Sequence, residues 1–220
     1  RGMSPSLPAW SQWLAAVVAA TVLVVTAKPA LAEWRRRGEN ATVQVLVLGT
    51  LALAAMRWFN TAALQGVMLH FLGATIATLV FGTATACWVM ALVSLGGVLQ
   101  GAAWQGWAPD FLVTGALPVA VTALASWTAR NWAPRNIFTY VMLNAFGGGA
   151  LAMASSMLTK ALVAWWAGAR TVAAYLAATP LLMFAEAFFA GTVMVLVVVY
   201  RPHWCRDFDD KAYLWPQQRM

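Results

Sequence analysis

PLLMFAEAFFAGTVMVLVVVYRP, residues 180–202, is apolar for about the length that crosses a bilayer, yet it carries one carboxylate, Glu186, near its middle. A charge at that depth costs roughly 2.5 kcal/mol or more unless it is paired, protonated or hydrated. Such a residue needs a reason, which makes Glu186 the first candidate for function. The stretch ends on Tyr200-Arg201-Pro202, where an aromatic ring, a cation and a helix breaker together mark a membrane exit.

Working outward, the rest of the chain has the same character. Of its 220 residues 62% are hydrophobic and 10% charged. A soluble domain of this size could not cover its surface with so little charge. Composition therefore predicts an all-α, polytopic membrane protein, a single transmembrane domain over 1–220 with residues 201–220 as a tail. The net charge of +7 does not indicate nucleic-acid binding, because the cations lie in short loops between apolar runs, where they set topology. Cys87 and Cys205 form neither a CxxC pair nor a metal-ligand spacing. The chain opens on Arg1, which implies that something preceded it. The first apolar run, about 18 residues, is long enough to span and does not read as a cleavable signal.

About seven transmembrane helices are expected. The first covers 9–27, the second 41–59 and the third 61–81. A tight, uncharged turn at 82–85 leads into the fourth, which reaches 99. The loop GAAWQGWAPD brings in Asp110, placed to cap the fifth helix, which runs to 128. After ARNWAPRN, Pro134 can open the sixth, which reaches 158 or beyond. The seventh starts between 172 and 180 and ends near 200. Of the 14 cations, Lys28, Arg35, Arg36, Arg37, Arg130, Arg135, Arg201, Arg206, Lys211 and Arg219 then share one side. Arg1, Arg57, Lys160 and Arg170 share the other. The positive-inside rule puts the N-terminus outside and the C-terminal tail in the cytoplasm. Most of the 13 Trp fall near span ends, as headgroup belts require.

Few strongly polar side chains lie deep: His70 in GVMLHFLGAT, Asn144 in YVMLNAFGGGA, and Glu186. His70 and Glu186 each lie about 13 Å from the outer end of their spans at 1.5 Å per residue. One reading is a metal or small-cation site on His70 and Glu186, with Asn144, Met68 and Met183 as additional polar or soft neighbours. The bland reading is that His70, Asn144 and Glu186 bond to one another or to backbone carbonyls and hold the bundle together. Either way Glu186 is expected to face the interior and to share a polar site with His70. Gly147-Gly148-Gly149-Ala150 offers a face for close helix approach. There is no nucleophile elbow, no HExxH and no phosphate-binding loop, so the chain is not expected to be an enzyme.

HFLGATIATLVFG, GALPVAVT, RNIFTYVMLNAFGGGALAM and LLMFAEAFFAGTVMVLVVVYRPHWCRDFDDKAYL occur in that order. Together they resemble the substrate-specificity membrane component of energy-coupling-factor transporters for cobalt and nickel, in its proteobacterial variant branch, over roughly residues 60–214. The resemblance implies uptake of Co2+ or Ni2+ as substrate, driven by a transmembrane coupling protein and cytoplasmic ATPases. It implies that His70 matches the later-helix histidine ligand of that family. The family's N-terminal Met-His pair has no counterpart in Arg1-Gly2-Met3-Ser4. At 183–192 the Pro, Gly and Asn of the variant branch are all Ala, which predicts a straighter helix around Glu186. These departures motivate the alternative: a non-transporting accessory or assembly subunit of a larger membrane complex. The tail beyond Pro202 is expected to dock on the cytoplasmic face through Trp204, Phe208, Tyr213 and Trp215, with its acidic residues near a basic loop such as 35–37.

Overall fold

The computed structural model describes residues 8–36, 41–58, 61–64, 67–99, 101–206, 208 and 213. Apolar runs longer than the bilayer core fold as the longest helices, since lipid leaves the backbone no other hydrogen-bond partner. These are α1 (Ala9–Arg36), α5 (Trp104–Trp132), α6 (Ile137–Trp166) and α7 (Val172–Tyr200), each apolar enough to span. Two shorter apolar helices, α2 (Ala41–Trp58) and α4 (Thr83–Leu99), complete the bundle with a short one, α3 (Ala74–Phe81). The protein is an all-helical, multi-pass membrane protein apart from one small hairpin.

That hairpin is where the structure departs from the expected spans. Residues 61–81 do not form one helix. Thr61–Leu64 (β1) pairs antiparallel with Val67–Leu69 (β2), and only Ala74–Phe81 is helical. The break falls at Gly73, whose φ of +65° is left-handed. No L-side chain would adopt that angle readily, and a Cβ there would collide with Leu53 Cδ2. Non-helical backbone at membrane depth persists only where protein covers it. Here Leu72 is buried, as are Ala74, Thr75 and five more of α3's eight residues.

Other boundaries shift by less. α1 runs on past 27 through Pro29 to Arg36. α6 opens at Ile137, three residues after Pro134, because the Asn136 side chain accepts from the Thr139 N–H at 2.7 Å and caps the turn. α7 is unbroken from Val172 to Tyr200, as the alanines at 185, 187 and 190 predict.

Contacts fix the two ends of the bundle. At one end Trp10 meets Trp166 edge-to-face, and Arg57 of α2 meets Asp110 of α5. At the other, Arg206 pairs with Glu33 of α1, and Tyr140 packs against Phe208 and Tyr213. The α6–α7 seam is close at Gly149. A Cβ there would stand 3.2 Å from the Ala187 Cα and from the Glu186 carbonyl, so the close approach expected of the triple glycine is present.

Candidate functional site

Glu186 stands midway along α7 and is fully buried. Its carboxylate faces protein, as its apolar setting predicts, and its partners are backbone donors. Oε1 accepts from the Gly73 N–H at 2.8 Å and Oε2 from the Leu72 N–H at 3.0 Å. Two charge-assisted bonds replace the hydration that the carboxylate gives up. They lie at the N-terminal end of α3, where the helix dipole also favours negative charge. The left-handed turn at Gly73 makes this possible. It frees two consecutive N–H groups from the helical pattern and aims them at α7.

His70 sits two and three residues before those donors. Its Nδ1 lies 3.1 Å from the Phe71 carbonyl oxygen. A carbonyl only accepts, so in the neutral imidazole this contact selects the tautomer with the proton on Nδ1 and the lone pair on Nε2. That is the arrangement in which an imidazole presents one nitrogen to a metal. Phe71 is pinned in turn by the Phe189 ring, 5.5 Å away and three residues after Glu186 on α7. One face of α7 thus holds the whole segment 70–73, by an aromatic contact and two hydrogen bonds.

His70 and Glu186 are therefore joined through this segment. No hydrogen bond or ion pair among the described residues links the two side chains. Met183, one turn before Glu186, is partly buried and packs on the core. The Met68 side chain lies outside the described residues. Asn144 is elsewhere in the bundle. It is buried in a π-helical stretch of α6, Tyr140–Gly147, and lines a small cavity with Ala129, Pro134, Arg135 and Tyr213. Its Oδ1 has no hydrogen-bond partner among the described residues. No group of three or more His, Cys, Asp or Glu side chains that could hold a metal occurs among the described residues.

Sequence reasoning missed two ion pairs. Asp110 does not cap its helix end; it takes the Arg57 guanidinium. Both residues were read at outer span ends, and equal depth with opposite charge was the available signal. At the other end a different pair forms, and the expected pairing of the tail aspartates with a basic loop falls outside the described residues. Arg206 of the tail pairs with Glu33 of α1, and Thr85 Oγ1 donates to the same carboxylate at 2.7 Å. The Arg206 N–H also bonds the Leu79 carbonyl at 3.1 Å. Cys205, Phe208 and Tyr213 are buried, so these tail residues pack against the bundle, while Trp215 and the tail aspartates lie outside the described residues.

No curated protein and no solved structure matches the chain. The family model for the cobalt uptake substrate-specific transmembrane region matches residues 4–204, nearly the whole chain and every element described above, and the protein belongs to that family.

Proposed function

We propose that this protein is the membrane permease component for uptake of a divalent transition-metal ion, cobalt or nickel, with His70 Nε2 as its ligand atom. The family is one of transport components and not of enzymes. The observation that carries the reading is the seating of segment 70–73. A fully buried carboxylate and an aromatic ring of α7 hold it, and the imidazole it carries keeps one nitrogen lone pair open. In this reading Glu186 positions the His70 segment and does not itself touch the ion. Met68, two residues before His70, is the soft donor nearest in sequence to complete the ligand set.

The charge distribution supports an N-terminus outside and a C-terminal tail in the cytoplasm of a bacterial inner membrane. The ion then enters from the His70 end. The work comes from a transmembrane coupling protein and ATPases that meet the opposite end, where α3 abuts the docked tail. The whole chain, 1–220, forms one transmembrane domain.

The test is cobalt accumulation in cells that also express the coupling and ATPase subunits. His70→Ala should abolish it. Glu186→Gln should lower it, with protein level monitored alongside. A parent that accumulates no cobalt and co-purifies with an unrelated membrane complex would establish the accessory-subunit reading.

A further inference from the structure

The tail end of the bundle holds two buried oxygens that have no part in the reading above. Helices α5 and α6 follow each other in the chain and run antiparallel. They meet at Thr122 and Gly148, where a Cβ on the glycine would stand 3.6 Å from the Thr122 methyl. Thr122 also shares a hydrogen bond with Thr75 of α3, 2.9 Å between their Oγ1 atoms. One turn nearer the tail, about 6 Å along the axis, α5 carries Ser126 and α6 carries Asn144. The two therefore stand at the same level on facing helices. Ser126 is 1% exposed and Asn144 2%. Neither Ser126 Oγ nor Asn144 Oδ1 has a hydrogen-bond partner among the described residues. Thr78, Thr114 and Thr128 satisfy their hydroxyls on the carbonyl four residues back, and Ser126 does not take that route.

A cavity opens beside Asn144. Its walls include Ala129, three residues after Ser126 on the same face of α5, together with Arg135, Tyr140 and Tyr213. Water centres have about 10 Å³ of it to occupy, room for about one molecule. Tyr213 is buried, stacks on Phe208 and meets Tyr140 edge-on, so the tail closes this side. Asn144 is presented by a π-helical stretch, in which the Gly148 N–H reaches back to the Leu143 carbonyl. Such stretches are rare and recur at functional sites.

The occupant has to satisfy an amide oxygen, which only accepts, and a hydroxyl, which donates and accepts. The two do not bond to each other, so a molecule between them must do both jobs. A cation would suit the oxygens but is opposed by Arg135 on the same wall. An anion would face the amide oxygen. Water donates to Asn144 Oδ1 and accepts from the Ser126 hydroxyl, at little cost in immobilisation.

We propose that the cavity behind Tyr213 is a hydration site, in which a water molecule bridges Asn144 Oδ1 and Ser126 Oγ and the docked tail is the lid. The bridge fastens α5 to α6 one turn from the Thr75–Thr122 pair, and solvent enters the bundle interior here only when the tail lifts. The site stands whether or not His70 carries a metal.

The experiment is X-ray hydroxyl-radical footprinting of the full-length chain in lipid nanodiscs, read by mass spectrometry at Tyr140. Radicals formed from a bound water label the ring beside it, whatever its exposure. Tyr140, though 1% exposed, should be labelled in the parent, and Asn144→Leu and Ser126→Ala should each lose that labelling. Tyr213→Ala should speed the exchange of the labelling oxygen with bulk H2-18O. In thermal unfolding each of the first two variants should lower Tm by about 2–4 °C, and the double variant by little more than either alone. Each variant is checked for a monodisperse elution profile, and Ser126→Ala carries the labelling test if Asn144→Leu does not fold. An unlabelled Tyr140 in the parent, or labelling that survives both changes, would overturn the hydration site. Additive or stabilising changes would do the same, because two unbridged buried oxygens lose nothing on apolar replacement. Exchange unchanged by Tyr213→Ala would overturn the lid.

Discussion

Glu186 and Asp110 are both carboxylates at membrane depth, and the chain accommodates them by different means. Glu186 is fully buried and is held by two backbone N–H groups of another segment. Asp110 is partly exposed and is held by an arginine side chain. The first arrangement fixes the path of a backbone and so places whatever that backbone carries. The second fixes a side chain and leaves the backbone free. The difference explains why α3 can be a half-length helix. Its N-terminal end is fastened to the middle of α7, its C-terminal end is fastened to the tail through Leu79 and Arg206, and the residues ahead of it need not be helical.

The comparison is broken most severely by Glu186→Ala. It leaves two buried N–H groups without an acceptor, at about 1–3 kcal/mol each, so a loss of about 4 kcal/mol is expected. Thermal unfolding in detergent reads it, and a loss below that of Asp110→Ala would undo the contrast. Gly73→Ala should come next, at about 3 kcal/mol, from a left-handed backbone and a collision with Leu53. Because it displaces the same two donors, its effect should be well short of additive with Glu186→Ala in a double-mutant cycle.

Asp110→Ala strands the buried Arg57 guanidinium. Full burial of both partners would cost about 3–5 kcal/mol, and the exposure of Asp110 lowers the expectation to about 2 kcal/mol. Substituting Arg57→Met in the same chain should recover most of that loss, which a purely structural role for the Asp110 backbone would not allow. The smallest effect belongs to Glu33→Gln, where Arg206 is the more exposed partner, at about 0–1 kcal/mol. Its readout is proteolysis of the tail at Tyr213 in vesicles, which should quicken more than global unfolding does.

How much of this was legible in the sequence follows from what each residue advertises. Glu186 announced itself because a lone carboxylate in an apolar run must find a partner. Its interior orientation, the tight glycine seam and the unbroken α7 followed from side-chain size and polarity alone. Its partner was hidden, because backbone N–H groups have no sequence signature of their own. Residues 61–81 are so uniformly apolar that periodicity cannot separate a spanning helix from a hairpin and a half-helix. Only Gly66 and Gly73 hinted otherwise, and glycine is common in spanning helices. The Arg57–Asp110 and Glu33–Arg206 pairs escaped for the opposite reason. Charges near span ends are ordinarily assigned to topology, and that assignment left their mutual attraction unweighed.

The central claim is that Glu186 acts by holding segment 70–73 through the Leu72 and Gly73 amides. Hydrogen–deuterium exchange of a peptide spanning those amides measures this in the parent and in Glu186→Gln, both in nanodiscs without added metal. The account predicts slow exchange at both amides in the parent and a rise of at least about tenfold in the variant, the equivalent of one lost charge-assisted bond. Equal exchange in the two proteins would contradict it.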